Sequence, residues 1–183
     1  PVKNKPVPEP SKPEVNSNLS LPKITIGKGN PDSETWIDFE KDGKSGYYDE
    51  DDNVMIEPIF EEVYLFHDGF ATVKLNGKMG VIDDKGNFII PPEYDFIYDL
   101  EEERFLLEKN DLFGYADRTG KIIIPIQYES AETFSEGLAP VSNDSAVGFI
   151  DVTGKIVLDF QYEDADSFSE GLAAVSLPED PDE

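Results

Sequence analysis

The sequence contains few side chains of the types that act as nucleophiles or as acid–base catalysts. Its 183 residues include one histidine and no cysteine, which excludes a thiolate nucleophile and a cysteine zinc site. The histidine, His67, lies in the segment Phe66–Gly69 and does not recur in the other copies of the repeat described below. A single histidine without a recurring partner lacks the elements of a triad or metal site. We therefore predict no catalytic residue and no enzymatic activity.

An acidic run at residues 49–53 resembles the beginning of a calcium-binding EF-hand loop. Such a loop needs glycine at its sixth position and glutamate at its twelfth, and this sequence has valine and phenylalanine there. The same residues also fit a turn between two strands of the repeat. Asp49, Asp51 and Asn53 are therefore candidate cation ligands, but neither a metal ion nor another cofactor is predicted.

Aromatic residues offer a different chemistry, since exposed rings stack on sugars. The chain has one Trp, eight Tyr and 12 Phe. Most of them occupy positions that recur in the strands of the repeat, where packing in a core explains them. Tyr47, Tyr48 and Tyr115 are the candidate ligand-facing rings.

Charge restricts the classes of partner. Forty Asp and Glu residues against 15 Lys and Arg give a net charge of −25, which repels nucleic-acid phosphates and anionic lipid headgroups. No apolar run approaches the ~18–20 residues that span a bilayer. We therefore expect an unidentified protein partner, or a glycan, and neither nucleic-acid binding nor membrane insertion.

The elements that position these residues belong to an internal repeat. Gly46, Gly80, Gly114 and Gly148 follow one another at intervals of 34 residues, with an aspartate three positions after each. Tetratricopeptide helices have the same period. However, the apolar runs are short and β-branched, Gly, Pro and Asp interrupt them, and no stretch has helical periodicity. The repeat is therefore predicted to be all-β.

Each copy is predicted to form a three-stranded antiparallel meander. In the second copy, strand A is Phe70–Leu75, strand B is Gly80–Asp83 and strand C is Phe88–Ile90. A returning segment follows strand C, and its large side chains recur every third residue, as at Tyr128 and Phe134. This spacing predicts one or two turns of helix or 3₁₀ helix packed on the sheet.

The turns of the repeat contain glycine where a left-handed backbone is required. Asn76-Gly77 is a two-residue hairpin turn, in which both residues need positive φ. Gly86, Gly120 and Gly154 end the turns between strands B and C, and an aspartate begins each of these turns. We expect the aspartate side chain to cap the turn.

A unit of 34 residues cannot bury a sufficient core alone, so the copies must stack. The favoured architecture is an open superhelical array, and a closed, propeller-like ring is the alternative. Strand A of the first copy is expected at Trp36–Phe39, and that of the last copy at Leu172–Ser176.

Composition sets the domain boundaries. Residues 1–35 hold seven of the 14 prolines among Lys, Ser and Asn, which predicts a largely disordered linker, with a short strand at Lys23–Ile26. Residues 36–176 form the four repeats and residues 177–183 an acidic tail. A Pro/Lys linker is typical of a mature protein whose leader was removed. This favours the bacterial cell envelope or secretion, with a cytoplasmic location as the alternative.

Several motifs of the third copy also occur in a known family. They are Gly114–Asp117, Thr119–Lys121, Ile122–Pro125, Gln127-Tyr128 and Phe134–Ala139. Together they resemble the WG-repeat (KWG) family of bacterial β-repeat proteins, and the resemblance extends over about residues 36–176. The namesake Trp is replaced in every copy, by Ser45, Met79, Phe113 and Val147. The resemblance implies a module that mediates interactions, without a shared catalytic activity.

Two functional hypotheses follow. The first is a non-catalytic module that presents its acidic surface to a protein partner through electrostatic steering and a few anchoring contacts. The alternative is a carbohydrate or cell-wall ligand module that uses exposed aromatic rings. Salt sensitivity is expected only for the first.

Overall fold

The computed structural model describes residues 20–98, 100–143 and 146–178. Within these residues the regular structure consists of β-strands and one turn of 3₁₀ helix, Ser33–Thr35. The strands are β1 (Ile37–Lys41), β2 (Lys44–Tyr48), β3 (Val54–Phe60), β4 (Glu62–Val63), β5 (Phe70–Leu75), β6 (Lys78–Asp83), β7 (Phe88–Tyr94), β8 (Phe96–Ile97), β9 (Arg104–Lys109), β10 (Leu112–Asp117), β11 (Ile122–Tyr128), β12 (Ser130–Ala131), β13 (Leu138–Asn143), β14 (Ala146–Asp151), β15 (Ile156–Tyr162), β16 (Asp164–Ala165) and β17 (Val175–Ser176). The predicted all-β class is confirmed.

The strands form five antiparallel sheets in chain order. Three complete sheets share one strand order, a two-residue strand followed by strands A, B and C: β4-β5-β6-β7, β8-β9-β10-β11 and β12-β13-β14-β15. Among the residues that the structure describes, the first sheet, β1-β2-β3, has no two-residue strand, and the last, β16-β17, consists of the two-residue strand and strand A. The predicted meander of strands A, B and C is therefore confirmed.

The returning segments are strands, and the predicted turns of helix in them are wrong. In the third copy, Ala131 pairs with Val141 of the following strand A, and the Glu132 N–H donates to the Pro140 carbonyl oxygen at 3.2 Å. The backbone of this segment therefore hydrogen-bonds with a neighbouring strand, which excludes the local i to i+3 or i+4 bonds of a helix. The chain bends at Glu129, between strand C and the two-residue strand, so Tyr128 and Phe134 do not follow the alternation of one straight strand.

The repeating glycines lie where strand C crosses close to strand B. The pairing of the two strands is interrupted near each of these glycines; in the second sheet the register shifts between Met79 and Val81. A β-carbon on Gly80 would lie 2.8 Å from the Ile90 carbonyl oxygen. One on Gly148 would lie 2.8 Å from that of Leu158. The 34-residue glycine period is therefore required by close backbone approach at the bulge.

The turn glycines have the expected conformation. Gly77, Gly86, Gly120 and Gly154 have φ of +75°, +80°, +79° and +85°. Asn76 has φ of +54°, so both residues of that hairpin turn are left-handed, as predicted.

Stacking of neighbouring sheets builds the core. Three clusters of buried side chains lie along the described chain, and each joins two consecutive sheets. The first contains Tyr47 and Val73, the second contains Ile90 and Leu107, and the third contains Ile124 and Val141. The buried residues of one repeat are thus completed by those of the next, as predicted for units that are not stable alone.

The described part of the predicted linker, residues 20–35, packs against the first repeat. Ile24 is 8% exposed and belongs to the first core cluster, and the Gly27 N–H donates to the Met55 carbonyl oxygen at 2.8 Å. Lys23–Ile26 does not form the expected strand. The folded part therefore begins before residue 35, because Ile24 contributes apolar area to the core of the first repeat. Residues 1–19 of the linker and 179–183 of the acidic tail lie outside the described residues.

The array is open at its last sheet. Ile156 and Val157 of β15 are 37% and 48% exposed, whereas the equivalent positions of β7 and β11 are half-buried. In a closed ring the first sheet would cover this strand. The last copy also has a shorter strand A than predicted, Val175–Ser176 instead of Leu172–Ser176.

Candidate functional site

The prediction that Tyr47 and Tyr115 face a ligand is wrong, because both side chains lie in the core. Tyr47 and Tyr115 have no exposed surface. The Tyr47 hydroxyl donates to the Tyr64 carbonyl oxygen at 2.5 Å, and that of Tyr115 to the Glu132 carbonyl oxygen at 2.7 Å. Burial raises the pKa of both phenols, so they remain protonated donors. Each hydroxyl joins strand B of one sheet to the returning segment of the next, a structural role.

The third predicted ring, Tyr48, is half-buried. It packs against Phe39 of β1, with the ring centroids 5.6 Å apart. Its exposed part lies on the first sheet, away from any described cleft.

Exposed aromatic residues occur instead on two consecutive returning segments. Tyr64, Phe96 and Tyr98 are 43%, 38% and 38% exposed. The Phe96 and Tyr98 ring centroids are 4.8 Å apart. Together with Thr72 and Ile97, the three rings line a cleft of about 130 Å³. We call these five residues the aromatic cleft.

Backbone pairing fixes the position of these rings. The Tyr64 N–H donates to the Thr72 carbonyl oxygen at 3.0 Å, and the Tyr98 N–H donates to the Leu106 carbonyl oxygen at 3.0 Å. Phe96 lies opposite Glu108 in the pairing of β8 with β9. Because both segments are held by strand A of their own sheet, the rings are presented on a rigid frame.

The sequence contains the signal for this cleft. Tyr64 and Tyr98 occupy the same position of the repeat, 34 residues apart. In the third and fourth copies Glu132 and Asp166 occupy that position. A column that accepts both tyrosine and carboxylates faces solvent, so an aromatic residue in it has no role in the core. Sequence analysis missed it because the buried aromatic column, two residues further on, dominated the pattern.

Two ion pairs include residues that are close in sequence to the cleft residues. The Lys74 ammonium is 2.8 Å from the Glu62 carboxylate, and Lys78 pairs with Asp95. The hydrogen bond from Lys78 lowers the pKa of the Asp95 carboxyl. Glu62 and Asp95 are close in sequence to the cleft residues Tyr64 and Phe96, so charged groups accompany the exposed rings, a combination found in protein interfaces.

The candidate cation ligands are used by the fold itself. Asp49 has no exposed surface, and its carboxylate accepts from the N–H groups of Asn30, Asp51 and Asn53 at 2.7, 3.0 and 2.9 Å. The Asn53 side-chain amide is 3.0 Å from the same carboxylate. The hydrogen bond from Asn30, followed by those from Asn53, lowers the pKa of Asp49 to about 2. Asp49 is therefore the cap of its turn, as predicted for this aspartate column.

No group of three or more potential metal ligands comes together within residues 20–98, 100–143 and 146–178. His67 is exposed in the corner before β5, where its N–H and carbonyl pair with the backbone of Phe70. In the same part of the chain, no helix is long and apolar enough to cross a membrane.

Sequence comparison agrees with the repeat architecture. A profile of the WG-containing repeat matches residues 46–78, 79–113, 113–145 and 148–177. The chain belongs to the WG-containing repeat family. Each of the four matches begins either at a strand-B glycine or at the residue that replaces the namesake Trp. The first residues of the matches are Gly46, Met79, Phe113 and Gly148.

Similarity to other known proteins is low. No curated protein is similar to the sequence at a significant level. A solved structure of Kluyveromyces lactis Hsv2 is 13% identical, with a TM-score of 0.41 over 74% of this chain and 48% of the Hsv2 chain. The WG-repeat chain thus spans about half the length of that protein.

Proposed function

We propose that this WG-repeat chain is a binding module for a basic protein partner, which the acidic surface attracts and the aromatic cleft anchors. The observation that carries the proposal is a row of exposed rings, Tyr64, Phe96 and Tyr98, on a chain of net charge −25. Exposed apolar rings with charged residues at their sides are typical of protein interaction sites.

The size of the cleft suits an anchoring role. An aromatic side chain presents roughly 150–250 Å², and about 40% of each ring is exposed. Covering all three rings would remove roughly 200–300 Å² of apolar surface from water, a gross gain of roughly 5–8 kcal/mol. Association entropy offsets much of this gain. The acidic field adds mainly to the association rate and to selection against acidic competitors.

The test combines salt and side-chain truncation. The tagged chain is incubated with extract of the cells that produce it, and bound proteins are eluted between about 50 and 500 mM salt, over which screening of surface charges increases several-fold. The double variant Tyr64→Ser/Tyr98→Ser is compared with wild type and with Ile37→Ser, which removes an exposed apolar residue of β1 outside the cleft. We expect a basic protein that wild type and Ile37→Ser retain, that salt elutes, and that the double variant binds at least tenfold more weakly. Equal retention by all three proteins at every salt concentration would refute the proposal.

A second candidate function is carbohydrate binding at the same cleft. The observation in its favour is the adjacent pair Phe96–Tyr98, because neighbouring aromatic faces can stack on a sugar ring. On a glycan array, binding that is lost in Tyr98→Ala and is unchanged by salt would favour this function over a protein partner. Binding that fails above about 300 mM salt would favour the protein partner.

We also propose that the module has no catalytic activity and functions in the cell envelope. The first part is supported by the position of His67, whose backbone is paired within a corner and whose imidazole is exposed. Turnover of any substrate by wild type but not by His67→Ala would contradict it. The second is supported by the Pro/Lys-rich composition of residues 1–35, and cell fractionation tests it.

A further inference from the structure

Phe96 of the aromatic cleft lies opposite a carboxylate. In the pairing of β8 with β9 its partner is Glu108. Side chains of directly opposite residues leave an antiparallel pair on the same face, with their β-carbons ~4.5–5.5 Å apart. The Glu108 side chain therefore lies beside the Phe96 ring, which has no group that can donate to a carboxylate.

The neighbouring sheets have matched side chains at the same position. In the second sheet the pair is Glu62 and Lys74, whose charged groups are 2.8 Å apart. In the fourth sheet it is Ser130 and Ser142, whose hydroxyls hydrogen-bond at 2.7 Å. Among the residues that the structure describes, no Lys or Arg lies within ion-pairing distance of Glu108. The third sheet thus departs from the sheets on either side, because it has a ring where they have a polar partner.

Another part of the chain shows which group completes a ring and a carboxylate. The Arg118 guanidinium lies over the Phe70 ring, 5.5 Å from its centroid. The same guanidinium donates to both carboxylate oxygens of Glu103, at 3.2 and 3.0 Å. One cation is thus attracted by a ring face and by a carboxylate together.

A lysine forms a second arrangement of this kind. The Lys109 ammonium is 5.4 Å from the centroid of the Tyr94 ring and 3.5 Å from the Glu93 carboxylate. Phe96 and Glu108 supply the same two components, an aromatic face and a carboxylate on one face of a strand pair. A cation that completes them has to come from another molecule.

The rings of the cleft favour a guanidinium as that cation. The ring centroids of Phe96 and Tyr98 are 4.8 Å apart, and each side chain is 38% exposed. A guanidinium is planar and weakly hydrated, so it can lie on an aromatic face while two of its N–H groups donate to a carboxylate. A lysine ammonium is a compact and strongly hydrated charge. The alkyl part of an arginine side chain also covers apolar surface.

The charge of the whole chain supports a basic occupant. A net charge of −25 raises the local concentration of cationic ligands and repels a second copy of the chain. The occupant is therefore a basic partner and not another molecule of this protein.

We propose that the aromatic cleft and Glu108 together bind an arginine side chain of the partner. The guanidinium pairs with the Glu108 carboxylate and lies against the rings of Phe96 and Tyr98, and the alkyl part covers apolar surface of the cleft. This inference rests on the proposed function, since it names the side chain of the basic partner that the cleft anchors.

The test titrates the full chain, labelled for nuclear magnetic resonance, with the tripeptide acetyl-Gly-Arg-Gly-amide at about 150 mM salt, where long-range attraction is screened. The ring signals of Phe96 and Tyr98 report binding at the cleft. Exposed ion pairs and exposed cation–π contacts are individually weak, so we expect a dissociation constant on the order of 1–10 mM. A peptide with lysine instead of arginine should bind about threefold more weakly. A peptide with citrulline, which has nearly the same shape and no charge, should not shift the ring signals at these concentrations.

A swap between repeats provides a variant that preserves the fold. Phe96→Glu/Glu108→Lys introduces the ion pair that the second sheet has at this position. It raises the net charge by one, as does Glu40→Gln on an exposed position of β1. We expect the swap to abolish the peptide-induced shifts of the Tyr98 ring and Glu40→Gln to leave them unchanged. Glu108→Gln, which removes only the charge beside the ring, should weaken the arginine peptide about threefold.

The outcomes separate this inference from the proposed function. The arginine site is refuted if the arginine peptide does not shift the ring signals, if the citrulline peptide shifts them equally, or if Glu108→Gln binds like wild type. Equal affinity for the lysine peptide would refute the assignment to a guanidinium. Salt-dependent retention of a basic protein, lost in Tyr64→Ser/Tyr98→Ser, would leave the proposed function standing in each case. Arginine binding at the cleft without any retained basic protein would support the site and refute the proposed function.

Discussion

The turn between strands B and C gives the sharpest test of how neighbouring repeats stack. Gly120 and Gly77 have nearly the same left-handed backbone, with φ of +79° and +75°. A β-carbon at Gly77 would meet no atom within 4 Å. A β-carbon at Gly120 would lie 2.9 Å from the carbonyl carbon of Ile89, in strand C of the preceding repeat, and closer still to its oxygen. The two glycines therefore differ in packing and not in backbone conformation.

Alanine at each position separates the two effects. Gly77→Ala should cost roughly 1–2 kcal/mol, the strain of a left-handed residue with a β-carbon. Gly120→Ala should cost roughly 1–3 kcal/mol more, because backbone of the preceding sheet must move, as in an overpacked core. For a domain of this size 1 kcal/mol corresponds to roughly 2–4 °C in Tm. We therefore expect Gly120→Ala to lower Tm about twice as much as Gly77→Ala.

Thermal unfolding followed by far-ultraviolet circular dichroism measures both variants. Gly154→Ala is a useful third, because its β-carbon would lie 3.0 Å from Cγ1 of Ile124, a side-chain atom that can move. Its loss of Tm should be nearer to that of Gly77→Ala. Equal losses for Gly77→Ala and Gly120→Ala would show that the turn is not seated against the preceding repeat, and would refute the stacking described above.

Three further predictions concern polar contacts. Tyr115→Phe removes a buried hydroxyl and leaves the Glu132 carbonyl without it, so denaturant unfolding should show a loss of roughly 1–2 kcal/mol; no loss would mean that the two sheets are not joined there. Asp49→Asn should lower Tm at pH 7. Since the folded pKa of Asp49 is about 2, below the unfolded value of about 4, its contribution is complete above pH ~4 and is lost as pH falls towards 2. The Tm difference from wild type should therefore shrink between pH 4 and 2, and a constant difference would contradict this account. The Glu136 carboxylate accepts a hydrogen bond from the Gly171 N–H at 2.8 Å. Glu136→Ala should therefore accelerate hydrogen exchange of the Gly171 N–H several-fold, and unchanged protection would exclude this hydrogen bond.

The regular features of the fold could be predicted because each follows from a local rule. Positive φ at Gly77 and Gly120 was expected from turn chemistry, and the aspartate caps from their position at the start of each turn. The 34-residue period identified the glycines at the strand crossing. Neither the bulge in strand C nor the reason for these glycines followed from the sequence, because both depend on the distance between two strands.

Long-range contacts account for what the sequence did not show. Helical spacing at Tyr128 and Phe134 indicated the wrong element because the bonds from Glu132 to strand A override local preference. Tyr115 resembled a surface ring by composition but fills the space between two sheets. Ile24 lies in a segment of linker-like composition, and its contact with the first core cluster depends on residues distant in sequence, which composition does not show.

The corner hydrogen bonds have a mechanical consequence. At three junctions a glutamate carboxylate spans to the next glycine N–H and fixes the spacing of the sheets along one side of the stack. At the junction of the second and third sheets the corresponding residues are Asp68 and Glu103, where the acceptor side chain is one methylene shorter. Bending under load should concentrate at that joint, which also lies next to the aromatic cleft. A ligand that contacts both Tyr64 and Tyr98 would then restrict the motion of the second sheet relative to the third.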